Sequence, residues 1–219
     1  MNLTDFYKSK IIVISAGPTY EKIDPVRFIG NYSTGKMGFE LAEVLAENGA
    51  EVHLVVGPTQ LTAMHSNIKT YFVESALEMY NQCTQLFEKA DIAIMAAAVA
   101  DYRPAKVSDI KIKKNEDTLT IHLVKNPDIL ATLGARKKEN QIVIGFALET
   151  NNEIENARKK LEKKNADAIV LNSLQDKGAG FKYDTNKISI LLKNGRIFEY
   201  QLKSKREVAQ DIIACIPLI

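Results

Sequence analysis

Short β-branched apolar runs alternate along the chain with stretches of helical periodicity, and that rhythm predicts an α/β protein built on a parallel sheet. Residues 11–15 are apolar without alternation, so they read as a first strand buried on both faces. After a loop rich in Gly, Pro, Asn and Ser, the apolar positions Met37, Leu41, Val44 and Leu45 mark a helix that stops at Gly49. Further strands are expected at 52–56, more weakly at 71–73, then at 91–97, 142–146 and 168–171. Helices are expected where Ala76, Met79, Tyr80, Cys83 and Phe87 share one face, from Pro127 onward, and over 152–164.

Two segments depart from this alternation. Residues 111–115 and 118–124 look like two strands joined by Glu116-Asp117, an inserted arm able to reach across a cleft or onto a second subunit. Near the end, 187–192 and 196–201 flank Asn194-Gly195, a hairpin signal, before a last amphipathic helix from Ser204. The expected fold class is α/β: a Rossmann-like, doubly wound, mostly parallel sheet with an inserted β-hairpin arm and a C-terminal β-hairpin plus helix. With no internal repeat or Pro/Ser-rich linker, residues 1–219 are expected to form a single domain.

Composition and charge exclude more than they suggest. A chain of 219 residues with 46% hydrophobic and 26% charged positions suits a soluble globular protein. Its 29 Lys plus Arg against 27 Asp plus Glu leave a net charge of +2, so there is no bulk electrostatic reason to expect nucleic acid or a membrane surface as partner. Any anion has to be bound locally. The longest apolar run, 92–100, is too short to span a bilayer. Cys83 and Cys215 alone make neither a metal quartet nor a disulfide framework, and a reducing, cytoplasmic location is expected.

In open α/β sheets ligands bind at the carboxyl ends of the strands, so the loops there carry the candidate chemistry. Loop 30–38 ends at a helix N-terminus, where free N–H groups favour an anion. Gly30 to Lys36 satisfies the GxxxxGK half of a phosphate loop. However, Met37 follows with no hydroxyl for Mg²⁺, and about fifteen residues separate this loop from the first strand, so a P-loop NTPase is rejected. An NAD site is weakened likewise: the glycines miss GxGxxG, and Val56-Gly57-Pro58 ends the second strand without an acidic residue for the ribose.

Small residues at 96–100 would let a base or ribose approach the backbone, and Asp101 offers a carboxylate to a metal ion or hydroxyl; an alanine packing run with a capping Asp explains them equally. On the arm, strand alternation puts Lys111 and Lys113 on one face and Ile112 on the other, although a solvated edge is the plain alternative. Asn126 reads as an N-cap with Pro127 at the first helical position. On the 152–164 helix, Ile154, Ala157 and Leu161 form the buried stripe. Lys160 and Lys164 border it whereas Lys159 and Lys163 point away, so two ammonium groups one turn apart suit phosphates, or else a solvated helix face.

Together, the blocks Ala16-Gly17-Pro18-Thr19, 24–29, 31–38, 98–102, 111–114, 126–129 and 145–152 stand in an order and spacing that resembles phosphopantothenoylcysteine synthetase, the ligase of coenzyme A biosynthesis, over nearly the whole chain. The resemblance implies ligation of 4'-phosphopantothenate to L-cysteine through an acyl cytidylate, with CTP and Mg²⁺ and without flavin. It implies that Lys111 contacts the triphosphate, that Asp101 sits by the nucleotide and its metal, and that Asn126, Pro127, Asp128, Ile129, Phe146, Lys160 and Lys164 line the CTP site. Asn31 would hold the acyl cytidylate for the second half-reaction. It further implies a homodimer in which the Lys111 arm reaches the neighbouring subunit. Gly30 and Tyr32 flank Asn31 where other members often have Ser and His. In many bacteria the ligase is fused behind a flavin-dependent decarboxylase; this chain starts at the ligase's first strand, so a stand-alone form without decarboxylase activity is expected. The alternative is a catalytically inactive nucleotide-binding regulatory module of the same fold. Lys111 and Asn31, assigned to separate chemical steps, argue against it.

Overall fold

The computed structural model describes residues 2–113, 117–149, 151–173 and 183–219. In chain order, α1 (Leu3–Tyr7) leads into β1 (Ile11–Ala16), a hairpin of β2 (Tyr20–Asp24) and β3 (Arg27–Gly30), then α2 (Lys36–Glu47), β4 (Glu51–Val56), β5 (Ile68–Phe72), α3 (Ala76–Phe87) and β6 (Ile92–Met95). The second half holds β7 (Tyr102–Pro104), β8 (Leu123–Lys125), α4 (Ile129–Arg136), β9 (Ile142–Glu149), α5 (Glu153–Lys163) and β10 (Ala168–Ser173). It ends in β11 (Thr185–Asn186), β12 (Ile188–Leu192), β13 (Ile197–Glu199), β14 (Lys203–Ser204) and α6 (Lys205–Cys215).

The main sheet has eight strands in the order β13-β12-β10-β9-β6-β1-β4-β5. Strands β10 through β5 in that order run parallel, and β12 and β13 extend the sheet antiparallel. This is the expected doubly wound α/β sheet. The winding reverses between β1 and β6, which opens a crevice at their carboxyl ends. Alternation along β1 sorts the core: Ile12, Ile14 and Ala16 join Tyr7, Leu41, Leu45, Val208 and Ile212 on the α1–α2–α6 face. Val13 joins Met79, Cys83, Leu133 and Leu161 on the α3–α4–α5 face. Full burial of each large aliphatic side chain is worth about 1.5–3 kcal/mol, so two such layers hold the crevice walls rigid.

The phosphate-loop-like sequence takes a different form from the one its spacing suggests. Gly30 is a residue of β3, and Gly35, with φ +85°, turns the chain into α2 as its N-cap without any side-chain cap. Gly38 is required by close packing, because a Cβ there would lie 2.5 Å from the Ala16 Cβ. The C-terminal hairpin forms as expected around Asn194-Gly195, where Gly195 has φ +88°. Ser204 caps α6 in a reciprocal box with Glu207.

Two expectations need correction. Helix α4 is capped by Asp128, whose carboxylate accepts from the Ala131 N–H at 2.9 Å, and not by Asn126. The Asn126 side chain is committed elsewhere. The insert does carry an antiparallel pair, but it joins Tyr102–Pro104 to Leu123–Lys125. Residues 111–113 and 117–122 are not in strands; Lys114, Asn115 and Glu116 lie outside the described residues. Among the described residues of 111–124 there is no ladder within the arm, which pairs at its base with β7 and docks through Ile112 onto the β2–β3 hairpin.

Candidate active site

Hydrogen bonds knit together the loops that follow β1 and β6. The Ala98 N–H donates to the Gly17 carbonyl at 2.9 Å, the Ala100 N–H to Thr19 Oγ1 at 3.0 Å, and the Ala97 N–H to Ser15 Oγ at 3.2 Å. Asn31, in the segment between β3 and α2, donates its amide to the Ala98 carbonyl at 2.9 Å. Buried Thr19 therefore sets the path of the Ala-rich loop, and the loop in turn orients Asn31.

A cavity of about 500 Å³ opens beside this junction and is lined by Asp101, Asn126, Pro127, Asp128, Ile129, Phe146, Lys160 and Lys164. A second cavity of about 400 Å³ shares Asp101, Phe146 and Lys160 with it and adds Asn31, Ser33, Gly35, Lys36 and Lys205. The two make one bilobed cleft at the switch point of the sheet. Of the residues to which the family resemblance gives a role, Lys111 lines neither lobe. It is exposed on the arm.

Asn126 is locked into one wall. Its Nδ2 donates to the Ala100 carbonyl at 2.8 Å, and its Oδ1 accepts from Arg103 Nη1 at 3.0 Å. With both ends of the carboxamide engaged, Asn126 holds the Asp101 loop against the start of α4. Lys160 projects from α5 into the cleft and donates to the Phe146 carbonyl at 2.7 Å. Burial lowers its pKa; Glu149, Asp128 and Asp101 pull back upward, while Lys164 adds to the lowering. Lys164 donates to Asp128 Oδ2. Burial on its own would raise the Asp128 carboxyl, but the Lys164 bond, the Ala131 N–H and the nearby ammonium charges hold it below its ordinary value. Lys159 and Lys163 are exposed on the opposite side of α5, as the periodicity requires.

A family model described as "DNA/pantothenate metabolism flavoprotein C-terminal domain" matches residues 7–218. The chain belongs to this family. Among relatives of this C-terminal domain, one named cysteine/cysteine sulfinic acid decarboxylase, from an unknown prokaryotic organism, is 52% identical over 202 residues, which is 92% of this chain and 56% of that protein. The coenzyme A biosynthesis bifunctional protein CoaBC of Bacillus subtilis (strain 168) is 45% identical over 206 residues, 94% of this chain and 50% of that protein. The chain spans about half the length of the curated relatives it matches. The crystal structure of the C-terminal domain of CoaBC aligns with a TM-score of 0.83 and 42% identity, covering 100% of this chain and 97% of that one. The family therefore agrees with the resemblance read from the sequence.

The domain's second lobe holds residues that sequence reasoning missed. Lys205 opens α6 and is 4% exposed; burial lowers its pKa, and the charge of Lys36 adds to the lowering. Lys36 itself pairs with Asp184 at 2.6 Å. Asn172 Nδ2 donates to Asn186 Oδ1 at 3.1 Å, while Asn172 Oδ1 is buried without a hydrogen-bond partner among the described residues. These groups come from distant parts of the chain, and no local spacing links them.

The described residues contain no group of three or more His, Cys, Asp or Glu suited to a metal ion. Of the two carboxylates that line the cleft, Asp128 is paired with Lys164, and Asp101 fits an ion that arrives on phosphate oxygens and keeps most of its waters, as Mg²⁺ does. No helix among the described residues is long and apolar enough to cross a membrane.

Proposed function

We propose that this chain is a single-domain cytoplasmic ligase that joins 4'-phosphopantothenate to L-cysteine at the expense of CTP, through an acyl cytidylate. One observation carries the reading: Asp101, Asn126 to Ile129, Phe146, Lys160 and Lys164, scattered over 64 positions of sequence, line one cavity at the switch point, and Asn31 lines the lobe beside it. The chemistry suits that arrangement. A carboxylate is a poor electrophile, so the acid attacks the α-phosphate and forms an acyl–phosphate bond as pyrophosphate leaves. The amine of cysteine then attacks the acyl carbon, CMP departs with the bonding pair, and the amine gives up its proton to solvent. Both steps call for positive charge and fixed dipoles around phosphate oxygens rather than a side-chain nucleophile. Lys160 and Lys164 supply charge in the cleft, Asp101 would hold a Mg²⁺ whose charge would offset that of the pyrophosphate, and Asn31 presents a carboxamide to the acyl cytidylate.

Lys111 enters from outside. Lys111 lines neither lobe of its own cleft, and the joined hairpin and arm expose Val26, Phe28, Val107, Ile110 and Leu119. A second copy packed on this apolar surface brings Lys111 to the neighbouring cleft, which makes the protein a homodimer.

The test supplies phosphopantothenate, Mg²⁺ and either CTP or ATP, and follows pyrophosphate and CMP with and without cysteine. Pyrophosphate without cysteine and CMP only with it are expected; no pyrophosphate with any nucleotide sinks the reading. Lys111→Gln should suppress the first half-reaction, because a neutral amide cannot offset triphosphate charge. The name of one relative motivates a second reading, decarboxylation of cysteine, which release of CO₂ from cysteine without nucleotide would favour.

A further inference from the structure

The contacts that dock the arm are more elaborate than holding a surface loop requires. Asp24 ends β2 and is 2% exposed, yet it lines neither lobe of the cleft. Its Oδ1 accepts the N–H groups of Val26 at 2.9 Å and Arg27 at 3.0 Å, an Asx-type turn that shapes the hairpin. Its Oδ2 faces the other way. That oxygen accepts Arg27 Nε at 2.9 Å, Arg27 Nη2, and the N–H of Ile112 at 3.1 Å. Arg27 Nη2 also donates to the Ile112 carbonyl at 2.8 Å. Ile112 is thus gripped at both its backbone donor and its backbone acceptor, while the Ser108 N–H donates to the Ile23 carbonyl at 3.0 Å.

A loop held only for packing would be anchored by its side chains, and changing one of them would slide the rest. Here a buried carboxylate and a planar guanidinium fork fix the peptide on either side of one residue, and the flanking Lys111 and Lys113 are left exposed. Burial would raise the Asp24 carboxyl, but the Val26 N–H, the Arg27 bonds and the Ile112 N–H hold it at about 2, so the grip stays charged across all physiological pH.

We propose that Asp24 is a positioning residue for the ligation: by orienting the Arg27 fork and binding Ile112, it fixes the point from which Lys111 reaches the nucleotide. This rests on the ligase reading above. Asp24 acts through the arm and touches no substrate.

Three measurements on the full chain test it. In Asp24→Asn, hydrogen exchange of the peptide reporting Ile112 should accelerate about tenfold or more while that of β1 is unchanged. Pyrophosphate release should fall about tenfold in kcat, with KM for CTP moving less than about threefold, because the cleft is untouched. Adding Lys111→Gln to Asp24→Asn should lower pyrophosphate release no further than Lys111→Gln alone, since both act on the same group. Multiplicative losses, or unchanged exchange at Ile112, overturn the proposal. Should Asp24→Asn fail to fold, Arg27→Lys serves instead: it keeps the charge, cannot bridge Asp24 and the Ile112 carbonyl together, and should loosen the arm and slow pyrophosphate release alike. A wild-type protein that releases no pyrophosphate overturns the ligase reading itself, whereas an active wild type with a normally protected Asp24→Asn arm overturns only the role of Asp24.

Discussion

Replacing Lys160 with Met is expected to weaken nucleotide binding while leaving the unliganded protein about as stable as before. Burial lowers the Lys160 pKa, so between that lowered value and the ordinary lysine value the unfolded chain binds more protons and stability rises with pH; below that window the burial penalty is present in full. Met removes the penalty but also removes one charged hydrogen bond to the Phe146 carbonyl, worth about 1.5–3 kcal/mol. With these opposed, the unliganded stability should change by less than about 1 kcal/mol, or roughly 2–4 °C for a chain of this size. Binding has no such compensation. An ammonium about 4 Å from a phosphate oxygen at an effective dielectric near 20 is worth about 4 kcal/mol before its competing bond to Phe146 is counted. A net loss of about 2–3 kcal/mol weakens CTP about 25- to 150-fold. Titration calorimetry with Mg²⁺ and CTP, together with a thermal melt, measures both quantities. Lys159→Met is the control, because Lys159 is exposed and pairs with Glu155 at 2.6 Å on the far side of α5. An affinity for Lys160→Met within about threefold of wild type, or an equal loss in Lys159→Met, refutes the reasoning.

Asn31→Asp should accumulate the acyl cytidylate, detected by mass spectrometry when cysteine is supplied, because a carboxylate cannot donate to the Ala98 carbonyl and repels the phosphate; full cysteine turnover would count against the second-step role. Gly38→Ala forces a Cβ to 2.5 Å from Ala16 and should cost about 1–3 kcal/mol, read as a lower urea midpoint, whereas an unchanged midpoint would mean that α2 moves freely away from β1. The Asp128 carboxyl is held below its ordinary value, so its stabilising share is present above the unfolded value near pH 4 and lost as pH falls through the folded one. Asp128→Asn should flatten the acid limb of thermal stability below about pH 4, and a limb as steep as the wild type's would contradict the assignment.

The sheet and its helices were legible because their signals are local and repeated: β1 is apolar on both faces, and α5 sorts four lysines by a single periodicity. Lys160 and Lys164 were found in that way. The β2–β3 hairpin was read as loop because its inward side chains are polar. Glu21 accepts the Ala76 N–H at 2.8 Å and Asp24 accepts Ile112, so residues that look solvated are buried against partners far along the chain. The Asn126 cap failed for a related reason. Asn-Pro-Asp offers two capping side chains, and the choice falls to Arg103 and Ala100, which occupy Asn126 and leave Asp128 for α4. The segments 111–115 and 118–124 alternate like strands, yet alternation names no partner, and β7 pairs with Leu123, Val124 and Lys125. Lys36, Asn172, Asn186 and Lys205 converge only once the sheet is assembled.

The position of Lys205 at the start of the last helix bears on how the protein comes into being on the ribosome. The second lobe draws Asn31 and Lys36 from the early chain and Lys205 from its final helix, which packs against α2. A nascent chain emerges N-terminus first, and its early segments remain uncovered until late ones arrive. The side of α2 that packs on α6 stays uncovered until that helix is made, so the growing polypeptide carries an apolar face and half a pocket until residues 205–215 emerge. Translation arrested before residue 205 therefore leaves that face of α2 bare and that lobe without Lys205.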